Sequence, residues 1–287
     1  MTITHEPPSP RRNSSGLRRD LQLLELLGSP ESESSGGLGV LRIAELTGRD
    51  KGQVSRTLAT LAEAGLVVRD RQSLSYRLGY QLYALAARTL ESRLVRDSAP
   101  FLRKVVTATH ETAHLCVLRG DNVLTLTSEL SEYAFRGMGW EGVSVAAWRT
   151  SSGRVLISDW RQDDLRSWYE RHGHDHLVTS PVSPLLQRAD ASAEPVIEGT
   201  PLITDFPGLL REVHRIRTRG FATVDEEFEI GVVGASAPVY DFRGSIVAAI
   251  NVSARKTRVG SHLDEVGAFV AKIADELSAH LGAMRSG

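Results

Sequence analysis

The sequence predicts an α+β protein built from two domains, and three observations carry that prediction. Apolar residues recur at helical spacing through residues 17–64 and then give way to a short pair of strands. Strand-like runs dominate from Ala113 to Ser253, and one long amphipathic helix closes the chain. A helical first part followed by an antiparallel sheet flanked by helices is an α+β arrangement. The 287 residues are too many for one average domain and comfortable for two. A composition of 41% hydrophobic and 24% charged residues leaves enough apolar surface for two cores.

Residues 1–16 are rich in Pro, Ser and Arg and lack apolar periodicity, so a disordered tail is predicted there. Arg11, Arg12, Arg18 and Arg19 either touch a polyanion or are simply solvated. Leu17, Leu21, Leu24 and Leu27, with Leu23 beside them, mark a first helix that stops at Gly28-Ser29-Pro30. Glu31 to Gly39 reads as a flexible loop. Ile43, Ala44 and Leu46 then give a short second helix ending at Thr47-Gly48, and Val54, Leu58 and Leu61 form the inward face of a third. Two short helices around a glycine turn are a helix-turn-helix pattern. The hairpin that follows, Leu66-Val67-Val68 with Leu74 to Leu78, has a polar, basic tip and is the expected wing.

That order of elements within about 60 residues predicts a winged helix-turn-helix that binds double-stranded operator DNA. Gln53, Ser55, Arg56 and Thr57 on the third helix carry groups suited to base edges and phosphates, and Arg49, Lys51, Arg69 and Arg71 supply phosphate-binding charge. The charge distribution agrees in sign. Residues 1–97 carry 14 Lys and Arg against 11 Asp and Glu, a net of +3; the rest carries 20 against 24, a net of −4.

After Gly79, Leu82, Leu85, Ala86 and Leu94 predict a connector helix over residues 80–97, able to bring two chains together. A second helix is expected from Phe101, then strands over Ala113 to Leu118 and Val123 to Ser128. Val232 to Tyr240 and Ser245 to Ser253 form a strong hairpin, with helices expected near Ser152 to Asp159 and Leu209 to Arg219. From Leu263 to Leu281 the 3–4 spacing holds throughout. The divisions are therefore 1–16, 17–79, 80–97 and 98–287.

No run of 18 apolar residues and no export signal is visible, which predicts a cytoplasmic protein with no membrane partner. The single cysteine, Cys116, excludes an intrachain disulfide and any multi-cysteine metal site. Ser151, His172 and Asp175 are the residue types of a hydrolase triad, but the motifs of serine hydrolases, phosphate loops and zinc proteases are missing, and no cofactor is called for. His172, His174 and His176 alternate in a way that fits neither a helical ligand pair nor a cysteine-partnered site, so a solvated loop is the default.

From Leu17 onward the chain resembles the IclR family of bacterial transcription factors. The matching pieces are Ile43-Ala44-Glu45-Leu46-Thr47-Gly48, Ser55-Arg56-Thr57-Leu58 with Leu61 and Gly65-Leu66, and Tyr76-Arg77-Leu78-Gly79. Thr150 with Gly153, Gly220-Phe221-Ala222 with Asp225-Glu226-Glu227, and Ala237-Pro238-Val239-Tyr240-Asp241 with Gly244 complete it. The resemblance implies a GAF/PAS-like effector domain after the linker helix, acting as a dimer or dimer of dimers and holding a small organic effector.

It also implies a pocket at Ser151, Ser152, Gly153, Asp225, Gly234, Ser236, Asn251 and Ser253, with Met138, Trp140 and Trp148 either walling it or packing as ordinary core. Val224 and Gly234 depart from the family pattern, which usually has an acidic or Ser residue and a Cys, Ser or Ala there. On that basis a larger, more apolar cavity is expected, its organic effector having a carboxylate or similar polar head, held at the Ser152-Gly153 helix start, and an apolar or aromatic body near Trp140 or Trp148.

Overall fold

The computed structural model of the chain describes residues 14–133, 141–142, 144–173, 202–227 and 229–283. The chain divides into two compact units, with the boundary between Thr89 and Leu90. Most of the predicted tail, and the positions of Met138, Trp140, His174, Asp175 and His176, lie outside the described residues.

The first unit opens with α1 (Ser14–Leu27), which begins within the stretch predicted as tail. Its buried face is Leu23, Leu26 and Leu27, whereas Leu17 and Leu21 are exposed, so the apolar stripe is rotated from the predicted one. The loop predicted from Glu31 contains a one-turn helix, α2 (Pro30–Ser34), because Ser29 caps it and Pro30 sits at its first position, where a missing N–H costs nothing. Next come α3 (Val40–Thr47) and α4 (Lys51–Glu63). Gly48 closes α3 at φ 64°, a left-handed conformation that turns the chain sharply toward α4 and suits glycine. Strands β1 (Val67–Arg69) and β2 (Tyr76–Leu78) pair antiparallel, with Arg69 opposite Tyr76. Ile43, Val54, Leu58, Val67 and Tyr76 join the α1 leucines in one core.

In place of one linker helix over 80–97 the chain forms α5 (Tyr80–Ala86) and α6 (Leu90–Thr109). Leu94, Ser98, Leu102 and Val105 fall on one face of α6 and are buried, which ties this helix to the second unit. Pro100, a residue type that usually interrupts a helix, lies inside α6 on its exposed side, where the carbonyl that loses its partner can meet water.

The second unit is a six-stranded antiparallel sheet in the order β5-β4-β3-β8-β7-β6. The strands are β3 (Thr112–Arg119), β4 (Asn122–Glu129), β5 (Ser144–Ala146), β6 (Ala222–Asp225), β7 (Val232–Tyr240) and β8 (Ile246–Arg255). The long helices α6 and α11 (Leu263–His280) cover one face through Leu102, Val105, Val270, Ile273 and Leu277, packed on Leu115, Val117, Val239, Ile250 and Val252. On the other face sit α7 (Ser151–Leu156), α8 (Gln162–His172) and α9 (Phe206–Arg219), around a core of Trp148, Val155, Trp168, Leu209 and Ile216. A four-residue helix, α10 (Lys256–Val259), leads from β8 toward α11. Each fully buried Leu or Ile in these cores contributes about 2 kcal/mol.

Candidate functional site

In the first unit, Asp50 caps α4 by accepting the Gln53 N–H at 3.0 Å, which starts the helix with Lys51, Gln53, Ser55 and Arg56 all exposed. Two other predicted contacts face elsewhere. Arg49 donates to Asp20 Oδ1 and to the Arg19 carbonyl, each at 2.9 Å, and the Thr57 hydroxyl lies 3.4 Å from the same carboxylate. The side chain of Arg49 is 15% exposed, so it clamps α1 to the helix-turn-helix. The sequence could not expose this, because Asp20 lies 29 residues earlier.

The wing tip is organised by Asp70. Its carboxylate accepts from Gln72 N at 2.9 Å and from Ser73 N at 2.8 Å, and the Ser73 hydroxyl is 3.0 Å away. Ser73's backbone and hydroxyl, then Gln72, hold that carboxyl below its usual range. Arg71 projects from this ordered tip, and Arg69 lies over the Tyr76 ring at 5.6 Å.

In the second unit, the face of the sheet toward α7 lines a cavity of about 390 Å³. Strand pairing explains which residues reach it. Thr112, His114 and Cys116 alternate on β3; His114 stands opposite Asn251 and Thr112 opposite Ser253 on β8, while Gly234 on β7 stands opposite Ser253. Helix α7 closes the side, contributing Ser151 and Ser152. Of the predicted effector residues, Ser151, Ser152, Gly234, Asn251 and Ser253 are brought together in this lining.

Ser236 stands directly behind them as a fully buried hub. Its hydroxyl is 2.8 Å from Ser151 Oγ and 3.1 Å from Ser152 Oγ, and it accepts from Asn251 Nδ2 at 2.9 Å. His114, which the sequence did not flag, is bracketed by hydroxyls: Nδ1 is 2.9 Å from Ser128 Oγ and Nε2 is 2.9 Å from Ser253 Oγ. Burial pushes this imidazole down to about 4, against a smaller opposite effect of Glu141, so it is neutral at physiological pH. Burial likewise pushes the Cys116 thiol up to about 11.

Other predicted positions do different work. Gly153 is required for close packing, since a Cβ there would stand 2.1 Å from the Ala147 carbonyl oxygen. Its N–H already donates to Thr150 Oγ1 at 3.0 Å, so the helix start expected to hold a carboxylate is capped by its own chain. Asp225 points out of the cavity and pairs with Lys256 Nζ at 2.9 Å. Trp148 belongs to the core and does not line the cavity. The space expected at Gly234 is already taken, because Val224 Cγ2 lies 3.3 Å and Ser151 Oγ 3.4 Å from where its Cβ would be.

A buried ion pair holds this architecture. Arg154, one turn beyond the cavity serines, gives Nη1 and Nη2 to the two Glu227 oxygens at 3.0 and 2.5 Å and Nε to the Trp148 carbonyl at 3.0 Å. Glu227 also accepts the Leu202 N–H at 2.8 Å. Of the residues weighed for a hydrolase, Ser151 meets Ser236 and Asn251 and His172 sits 3.1 Å from Asp121, while Asp175 lies outside the described residues.

Comparison with known proteins adds to this geometry. Residues 16–71 match the IclR helix-turn-helix domain, and residues 87–183 and 186–279 match the family described as bacterial transcriptional regulator IclR C-terminal. The Pca regulon regulatory protein of Pseudomonas putida is 27% identical over 187 residues, covering 64% of this chain and 57% of that protein. The DNA-binding transcriptional repressor YiaJ of Escherichia coli is 27% identical over 187 residues, 64% of this chain and 60% of that protein. The chain thus spans less than two thirds of the length of these relatives.

Among solved structures, the Thermotoga maritima IclR superposes with a TM-score of 0.68 at 23% identity, covering 94% of this chain and 99% of that one. An IclR homolog from Microbacterium hydrocarbonoxydans, complexed with 4-hydroxybenzoate, gives a TM-score of 0.70 at 18% identity, covering 93% and 100%. At these identities the structures speak to fold alone.

Proposed function

The chain belongs to the IclR family of bacterial transcriptional regulators, and from that premise we propose that it is a sequence-specific DNA-binding regulator whose operator affinity is set by a small organic effector. The observation that carries this reading is the hydrogen-bonding cavity of about 390 Å³ in the family's C-terminal domain, a volume suited to a small molecule. Gln53, Ser55 and Arg56 read base edges, and Lys51, Arg69 and Arg71 contact phosphate; their exposure on α4 and the wing supports these roles.

The working unit is at least a dimer. One winged helix covers too little DNA for useful specificity, and Tyr80, Tyr83 and Leu85 leave an apolar surface exposed on α5; Leu94, buried in the second unit, is not available for it. The protein acts without catalysis and in the cytoplasm. Supporting the first point, the cavity hydroxyls are held by one another and by neutral His114 and Asn251. Supporting the second, no helix of the described residues is long and apolar enough to cross a membrane.

A gel-shift experiment on the region upstream of the protein's own gene, with and without small aromatic and aliphatic compounds, tests the reading. A retarded complex whose stability changes with one compound is expected. Failure to retard any duplex at low salt would overturn it.

A further inference from the structure

We propose that Asn251 selects the effector by demanding a hydrogen-bond donor: its side-chain oxygen is an acceptor left open on the cavity, so the effector brings a hydroxyl or an N–H to it, and molecules whose polar group can only accept are disfavoured. This rests on the effector reading above and adds the chemical class that the site takes.

The surroundings of the amide fix which way round it sits. Asn251 Nδ2 lies 2.9 Å from Ser236 Oγ, 3.3 Å from Ser151 Oγ and 3.4 Å from the Ala235 carbonyl oxygen. The two hydroxyls suit either end of an amide, because each can donate or accept. A carbonyl only accepts, so the nitrogen belongs on that side and the oxygen on the other. There Oδ1 accepts from no described residue. Asn251 is half-buried and lines the cavity, and its oxygen is not one of the sealed, unpartnered atoms of the described residues, so it opens on that space.

The neighbouring donors are turned elsewhere. His114 stands opposite Asn251 in the strand register, but its two ring nitrogens face Ser128 and Ser253. The hydroxyls of Ser151 and Ser152 meet Ser236, and the Cys116 thiol meets Ser152 and Thr125. Apolar walls then make the open acceptor costly to ignore. Val123, Val145 and Val224 line the same cavity, and an effector body packed on them displaces the water that would otherwise donate to Oδ1. Unless the effector supplies a donor in its place, the oxygen is left unpaired against apolar surface, which is how a site built for a hydroxyl or N–H rejects a molecule lacking it. A carboxylate at this position fares no better than a ketone, since it sets lone pairs against lone pairs and gives up its own hydration. The negative charge of Glu141, felt at His114, opposes it further.

1-Phenylethanol and acetophenone test the demand by calorimetry on the full chain, because they share one carbon frame and differ in the donor; benzoate adds the anionic, acceptor-only case. The alcohol is expected to bind at least tenfold more tightly than the ketone, and benzoate no more tightly than the ketone. Asn251→Leu removes the acceptor and should erase the preference for the alcohol. Asn251→Ser withdraws the acceptor while keeping a small polar side chain, and should erase it too, which keeps the test decisive should the leucine variant not fold. Acetophenone or benzoate binding the wild type as tightly as the alcohol, or a folded variant that keeps the full preference, would overturn the assignment to Asn251. Failure of the effector reading itself is distinguishable: none of the three would bind, and operator binding would ignore them all.

Discussion

Arg49, in the turn before α4, reaches back to Asp20 on α1 at 2.9 Å, so a cation that the sequence offers to DNA holds the helices together. The pair is only partly buried and is reinforced by the Arg19 carbonyl, so its removal should cost about 1 kcal/mol. Arg49→Gln is expected to lower the melting temperature of the protein while leaving the salt dependence of DNA binding unchanged. A salt slope reduced by about one unit would instead make Arg49 a phosphate contact.

The Arg154–Glu227 pair is buried on both sides, with side chains 0% and 6% exposed. Removing one partner strands the other charge, so Glu227→Leu or Arg154→Met alone should cost about 3–5 kcal/mol in urea unfolding, and the double variant less than the two singles together. Singles that cost under about 1 kcal/mol would show that the pair does not hold α7 in place.

His114 gives the stability a pH dependence of defined sign. Its folded pKa of about 4 lies below the ordinary 6.5, so between those values the unfolded chain binds more protons and stability falls as the pH is lowered. The loss should approach about 3 kcal/mol at the acid end of that window. Comparing the wild type with His114→Gln isolates it: the variant's stability curve should be flatter between about pH 6.5 and 4. Parallel curves would mean that His114 is not held neutral.

Two glycines should respond differently to the same methyl. Gly153→Ala drives a Cβ to 2.1 Å from a backbone oxygen and should cost more than about 2 kcal/mol, taking ligand binding with it. Gly234→Ala meets Val224 and Ser151 at 3.3 and 3.4 Å, so it should cost under about 1 kcal/mol and be relieved by Val224→Ala. Thermal melting of the three variants checks the order, and a harmless Gly153→Ala would refute the close packing of α7.

What the sequence made legible was local. The glycine turn at Gly48, the short hairpin of Leu66 to Leu78 and the β7–β8 alternation are each written within a few residues, and they carried the helix-turn-helix, the wing and half of the cavity. What it hid depends on long-range pairing. His114 and Cys116 look like ordinary strand residues until the β3–β8 register places them across from Asn251 and Ala249; alternation of Thr112, His114 and Cys116 was the one available hint. Likewise Arg49 needed Asp20, and the apparent space at Gly234 needed knowledge that Val224 lies against it. Leu94 reads as linker surface until α6 is seen packed on the second unit's core.

The central claim, that α4 reads sequence while the wing contributes charge, is tested most directly by the ratio of affinities for a duplex selected from a randomised pool and for an unrelated duplex. A Gln53→Ala/Arg56→Ala double variant should lose at least tenfold of that ratio, since each base-edge contact contributes about 1–3 kcal/mol of discrimination. Arg71→Ala should weaken both duplexes alike and lower the salt slope by about one unit. Full-strength, fully selective binding by the double variant would contradict the account.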